Sequence, residues 1–343
     1  MVDAMIIELE LRKDELADPI ETIYLGGGTP SLLSPEQLKA LYSTIQQHYK
    51  LSKTIEFTLE ANPDDITVDL LLAYKDIGVN RLSLGIQSFR EEDLKFMNRA
   101  HDSAEAKRAL DLVLKHFDNV SVDLIYGVPN MPQEVWQQNL QQAIEAGIPH
   151  LSCYALTVEP GTALDRFISK GVVAPVDEAL AKAHYDLLLS FTEQQGFENY
   201  ELSNFGKPGY YSKNNTAYWE GVPFLGIGPG AHSLVGHTRS WNISNNPKYI
   251  KSLQAGRRPF EAEKLSLNDR YNEYIMTGLR TAKGVSLDKI SADFGPAFRT
   301  YVESLIPDLQ AKQWIFLDGD RIHIPRDSKF LSDGIAAELF KLL

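Results

Sequence analysis

The sequence predicts an α/β fold: an open, partial parallel β/α barrel followed by a small domain of helices and a closing hairpin. Three observations predict it. Short apolar runs at 22–25, 55–59, 81–86, 120–125 and 151–156 alternate with segments of helical period as far as about residue 160. Gly78 and Gly147 stand just past two of the helical segments, where a left-handed residue closes a helix. Beyond about residue 265 the pattern changes to helices and a closing hairpin. Consecutive strands joined through helices are expected to lie parallel, with right-handed crossovers. Five such strands are too few for a closed eight-stranded barrel, which leaves it open.

Residues 1–15 read as a charged amphipathic helix rather than a signal peptide. The strand at 22–25 runs into Gly26-Gly27-Gly28-Thr29-Pro30-Ser31, and a helix over 35–49 follows with a readable start. Ser34 is placed to cap free amides, Pro35 suits the first helical position, and Gln37 supplies the second half of a capping box. A glycine turn between a strand and a capped helix lets a ligand approach the backbone, whose amides bind a carboxylate or phosphate. The plain alternative is a tight βα loop, and the run matches neither the Walker pattern nor G-x-G-x-x-G. Further helices are expected at 68–77, 104–116 and 133–146. The stretch 208–249, rich in Gly, Asn, Ser and aromatics, reads as irregular structure. Helices at 267–281, 286–294 and 297–305 and strands at 314–317 and 321–325, around Asp318-Gly319-Asp320, complete the chain. The expected divisions are 1–205, a linking region at 206–265, and 266–343.

The 343 residues carry a net charge of −12, which argues against a generic nucleic-acid binder. Charges are nearly balanced across the stretch beyond residue 265 and no basic run interleaves with aromatics, so phosphate binding has no support there either. No apolar run is long enough to span a bilayer, and a cytoplasmic location is expected. Cys153 is the only cysteine. It excludes an internal disulfide and any multi-thiolate metal site built from these residues alone.

Candidate site residues lie at the ends of different predicted strands: Gly26, Gly27, Gly28 and Thr29, then Glu60, Gln87, Asp123 and Tyr154. Strand carboxyl ends face the ligand crevice in parallel α/β folds. Glu60 is suited to accept hydrogen bonds from ligand hydroxyls or an amine, or else is a surface acid at a strand exit. Asp123 interrupts an apolar strand and needs a partner, for which Arg99 is one candidate. The alternative for Asp123 is a structural ion pair.

Tyr24-Leu-Gly-Gly-Gly-Thr-Pro-Ser31, Glu60-Ala-Asn-Pro63, Arg81-Leu-Ser-Leu-Gly-Ile-Gln-Ser88, Asn98-Arg-Ala-His101, Asp123-Leu-Ile-Tyr-Gly127 and Leu225-Gly-Ile-Gly-Pro-Gly-Ala-His-Ser233 follow in an order that identifies a family. The chain resembles, over essentially its whole length, the radical S-adenosylmethionine family of oxygen-independent coproporphyrinogen oxidases, and within it the HemW-like heme chaperones. The resemblance implies that Gly27, Gly28 and Thr29, beside Gly26, hold the amino-acid end of S-adenosylmethionine. It also implies that Glu60, Gln87, Arg99 and Asp123 line the polar groups. A sulfonium nucleoside brings an ammonium, a carboxylate and two ribose hydroxyls, so it needs carboxylates, backbone donors and a cation. The implied role is to bind heme and pass it to an acceptor such as a respiratory protein, with transient membrane-protein contact and no net catalysis. The closing helices and hairpin resemble the small winged-helix-like domain that ends the family, which would cover the crevice or dock that acceptor. Oxidative decarboxylation of coproporphyrinogen and a cofactor-free binding module are the alternatives.

Two departures accompany the resemblance. The family's Cys-x-x-x-Cys-x-x-Cys loop, which holds a 4Fe-4S cluster, has no counterpart here, and Cys153 falls in another strand as an expected core residue. The chain as written is therefore not expected to assemble the cluster or cleave S-adenosylmethionine. Either it begins late relative to its family or it is a variant without radical chemistry. Thr22-Ile-Tyr-Leu25, lacking the charges or proline of a protected edge, favours the first. The second departure is Asn214-Asn215-Thr216-Ala217-Tyr218-Trp219, where the chaperones carry His-Asn-x-x-Tyr-Trp. An amide is a poor axial ligand for heme iron. Tyr218 and Trp219 either pack on a porphyrin face or anchor a loop to the core. His232 is a substitute ligand or a hydrogen-bonded structural residue, with His237 a weaker candidate.

Overall fold

Capping side chains fix where most of the helices begin. In the computed structural model, which describes residues 1–342, α1 (Val2–Leu11) leads to β1 (Ile20–Leu25), α2 (Pro35–His48), β2 (Leu51–Ala61) and α3 (Val68–Ile77). Next come β3 (Arg81–Gln87), α4 (Glu91–Phe96), α5 (Ser103–His116), β4 (Val120–Tyr126), α6 (Gln133–Glu145) and β5 (His150–Ala155). The Ser34 hydroxyl accepts from the Gln37 amide at 3.3 Å and the Gln37 side chain accepts from the Ser34 amide at 3.0 Å, so the expected capping box forms. Asp102 and Glu105 make a second box on α5. Gly78 closes α3 at φ 117°.

After α7 (Ala163–Ser169) and α8 (Glu178–Gln194), the chain forms a hairpin of β6 (Glu198–Glu201) and β7 (Asn204–Gly206). The resulting sheet is a curled half-barrel in the order β1-β2-β3-β4-β5-β7-β6. Strands β2 to β5 pair in parallel, and β7 runs antiparallel to both β5 and β6. The open barrel is borne out, with an antiparallel edge that the sequence reading did not anticipate. That edge is short and polar: Asn204 accepts from Ser152 at 2.7 Å, a side-chain tie without hydrophobic periodicity. Arg81 through Ile86 are all buried, as in a parallel strand covered on both faces.

The chain divides into two compact units, one of Met1–Ile23, Leu33–Glu56 and Ser212–Leu343, the other of Tyr24–Leu32 and Phe57–Tyr211. Within the first, the region expected to be irregular is ordered into α9 (Lys213–Trp219), β8 (His232–Val235), β9 (Thr238–Asn242), α10 (Asn246–Gln254) and β10 (Phe260–Lys264). Its three strands form an antiparallel sheet in the order β10-β9-β8. The reason is long-range packing on α1, apolar and polar together: Ala4 clusters with Tyr249 and Leu253, and Val2 and Leu9 with Leu225 and Ile227. Fully buried Glu8 of α1 accepts from the Gly228 amide at 2.9 Å, Asn242 Nδ2 at 2.7 Å and the Tyr249 hydroxyl at 2.5 Å. Arg12 donates to the Gly226 carbonyl at 2.8 Å and the Ser233 hydroxyl at 3.0 Å.

The remainder comprises α11 (Leu267–Leu279), β11 (Val285–Ser286), α12 (Leu287–Phe294), α13 (Pro296–Ala311), β12 (Phe316–Asp318), β13 (Arg321–His323) and α14 (Ser332–Glu338). Tyr271, Ile275, Val302 and Ile322 belong to its own buried core. Helix α13 runs past the expected end at 305 and through Pro307, because Phe298, Val302, Ile306 and Leu309 keep one stripe buried. Among the described residues no helix is long and apolar enough to cross a membrane.

Candidate functional site

The carboxyl ends of β2 and β3 and the turn after β1 enclose a polar cavity of about 190 Å³. Its rim depends on glycine. A Cβ at Gly26 would stand 2.6 Å from the Tyr24 ring and 2.7 Å from the Glu60 carboxylate. Gly27, at φ 79°, and Gly28 have nothing within 4 Å of that position, so their backbone is open to a ligand.

Glu60 accepts from the Tyr24 hydroxyl at 2.6 Å and from the Gly27 amide at 3.3 Å. Burial and then the charge of Glu60 push the Tyr24 phenol far up, so it stays protonated and donates. Arg99 Nη2 donates to Asn62 Oδ1 at 2.7 Å and to the Gly85 carbonyl at 3.3 Å. The guanidinium has hydrogen-bond partners but, among the described residues, no carboxylate.

Asp123 accepts from the Ser83 hydroxyl at 3.0 Å. Arg99, one candidate for its partner, instead bonds Asn62 and Gly85. Burial raises the Asp123 carboxyl to about 6, opposed by the Ser83 hydrogen bond and reinforced by the charge of Glu60. Gln87 adopts φ 67° where the β3–β4 register shifts, a left-handed backbone uncommon outside glycine, and lines the same cavity.

The cavity thus gathers Gly28, Thr29, Glu60, Gln87, Arg99 and Asp123. Tyr154 does lie at the end of β5, as expected, but it is 45% exposed and outside the cavity lining, a correction to its grouping with the site. Sequence reasoning missed Asn62 and Ser83, the immediate partners of Arg99 and Asp123. Both lie inside quoted motifs, Glu60-Ala-Asn-Pro63 and Arg81-Leu-Ser-Leu84, which was the available signal. Chemically the cavity presents two carboxyls, one guanidinium and open glycine backbone. That set matches a zwitterionic nucleoside.

Cys153 is buried, as expected, and burial pushes its thiol well up, which keeps it neutral. Among the described residues no three His, Cys, Asp or Glu side chains are grouped to hold a metal ion. The residues present do not fit a thiolate-held cluster.

A second feature lies wholly in the other unit. Glu56 accepts from the amides of Lys213 at 3.0 Å and Asn214 at 3.1 Å, anchoring the start of α9. The Asn214 side chain accepts from the Thr22 hydroxyl at 3.1 Å, so it is occupied within the fold. Tyr218 is 53% exposed, with its ring 5.7 Å from Trp219 and 5.2 Å from Phe224. His232 is exposed and stacks on Trp241 at 5.9 Å and 27°. His237 instead meets Arg270 at 3.2 Å.

Residues 5–143 match the model of the radical SAM superfamily, and residues 265–330 match that of the HemN C-terminal domain. The chain is 32% identical over 339 residues to the heme chaperone HemW of Mycobacterium tuberculosis, spanning 98% of this chain and 85% of that protein. It is 31% identical over 319 residues to the heme chaperone HemW of Bacillus subtilis, spanning 92% of this chain and 84% of that one. Among solved structures, the coproporphyrinogen III oxidase HemN of Escherichia coli, a radical SAM enzyme, superposes with a TM-score of 0.85. That likeness, at 22% identity over 99% of this chain and 82% of the other, is one of fold.

Proposed function

We propose, from the premise that the chain belongs to the HemW-like branch of the radical SAM superfamily, that it carries heme to apo-acceptor proteins and binds S-adenosylmethionine in its polar cavity. The observation that supports heme carriage most is the continuous match to heme chaperones across 85% of their length. A carrier of this kind would work in the cytoplasm and meet its acceptors, membrane-bound ones included, only transiently.

For S-adenosylmethionine the support is chemical. Arg99 is available to the methionine carboxylate, Glu60 to the ammonium or a ribose hydroxyl, and the open backbone at Gly27 and Gly28 to the adjoining polar atoms. Gln87 and Asp123 supply further hydrogen-bonding groups on the same cavity wall. In this superfamily a cluster-bound S-adenosylmethionine is a source of radicals. The role we assign to the residues of the cavity is binding and orienting the nucleoside.

The direct test titrates hemin into the protein and follows the Soret band. A saturable red shift at one hemin per chain is expected. Free-hemin behaviour at every ratio would remove the proposal.

A further inference from the structure

We infer that the exposed imidazole of His232 is the axial ligand of the heme cargo, on an aromatic platform of Trp241, Phe224 and Tyr218. The inference rests on the heme-carrier reading and deepens it by naming the ligand and the binding face.

The pairing register builds the platform. His232 lies opposite Trp241 and Leu234 opposite Arg239, while Ser233 and Ser240, which alternate with them, are buried. Side chains alternate faces along a strand, so His232, Leu234 and Trp241 share the face opposite the buried serines. Phe224 bridges Leu234 through hydrogen bonds in both directions, at 2.9 and 3.0 Å, and a directly opposed pair shares a face. Tyr218 then packs on Phe224. The imidazole therefore lies against Trp241 on the face that continues through Leu234 to Phe224 and Tyr218, all within one compact unit.

The imidazole is also free. His232 makes no hydrogen bond among the described residues, and its one recorded neighbour is the Trp241 ring. Of the other histidines, His48 and His116 are half-buried in the last turns of α2 and α5 with, among the described residues, no ring of the platform beside them, and the rest are committed. His101, His150 and His184 are buried, His237 is bonded to Arg270, and His323 is half-buried against Phe316. Asn214, which stands where the chaperone motif has histidine, is bound to Thr22. A neutral imidazole offers the nitrogen lone pair that iron takes axially, and flanking aromatic rings offer the faces that a flat macrocycle covers.

The backbone of His232 is set by its close approach to Gly226. A Cβ at Gly226 would stand 2.0 Å from the His232 carbonyl oxygen, so only glycine allows the strand and the preceding loop to approach so closely. The loop is held in turn by Arg12 on the Gly226 carbonyl.

The test uses the full chain, hemin, and two variants, His232→Ala and Tyr218→Phe. The readouts are hemin affinity and the iron–imidazole stretch in the resonance Raman spectrum of the reduced complex. The wild-type chain and Tyr218→Phe are expected to show the stretch. His232→Ala is expected to lose it, to bind hemin at least about tenfold more weakly, and to recover imidazole ligation when free imidazole is added. An unchanged circular dichroism spectrum would establish that the variant is folded, as expected for an exposed ring without hydrogen bonds. A His232→Ala chain that keeps the stretch and wild-type affinity would overturn the inference and leave heme carriage standing. A wild-type complex with tyrosinate ligation would do the same. A wild-type chain that binds no hemin would remove both.

Discussion

A carboxylate accepts about four hydrogen bonds, and Glu60 uses two of these positions on Tyr24 and the Gly27 amide, leaving capacity on the cavity side. Glu60→Gln and Arg99→Ala are each expected to weaken S-adenosylmethionine binding about ten- to a hundredfold, the range of a lost charged hydrogen bond. Isothermal calorimetry checks this, and unchanged affinity in both variants would show that the ligand does not use them. Asp123 behaves differently because its cost falls on the folded state. Its carboxyl is raised to about 6 on folding, so its contribution to stability is fully present below about pH 4, its unfolded range, and is lost as pH rises through 6. Asp123→Asn, which still accepts from Ser83, is expected to be more stable than wild type by about 3 kcal/mol at pH 7. The gap should close near pH 4 in urea unfolding, and a gap independent of pH would contradict the assignment. The types of these residues were legible in the sequence. Their pairing was not: Arg99 follows Asn98, whose φ of 52° turns the chain after α4, and such a turn has no signal in a hydrophobic pattern.

At the scale of elements, the βα series was readable because each strand and helix carries its own period and its own cap. The segment from α9 to β10 was not, because α1, more than two hundred residues earlier, orders much of it: Ala4 clusters with Tyr249 and Leu253, and Glu8 and Arg12 reach Gly228, Asn242, Tyr249, Gly226 and Ser233. On the sequence those two residues look like the polar face of a surface helix, yet both are buried. Removing one member of a buried charge network strands the others. Glu8→Ala is therefore expected to cost about 3–5 kcal/mol by urea unfolding, since Arg12 and Arg258 would keep their charges without it. A cost below about 1 kcal/mol, the range of a surface pair, would show that the network is not structural. Gly226→Ala tests the same loop sterically and should destabilise the chain by about 1–3 kcal/mol.

For the whole molecule, the two polar and aromatic features call for different ligands and lie in different compact units. The polar cavity has charge and open glycine backbone suited to a nucleoside, while the platform has rings and an imidazole suited to a metalloporphyrin. Carriage, unlike storage, requires that heme leave when an acceptor arrives. Mixing the hemin-loaded protein with the apo form of a b-type cytochrome and following the Soret band by stopped flow measures this directly. Heme should move to the cytochrome at a rate that rises with cytochrome concentration, because the acceptor takes part in release. A transfer rate independent of cytochrome concentration and equal to passive loss of hemin would contradict a carrier and leave only a heme-binding protein.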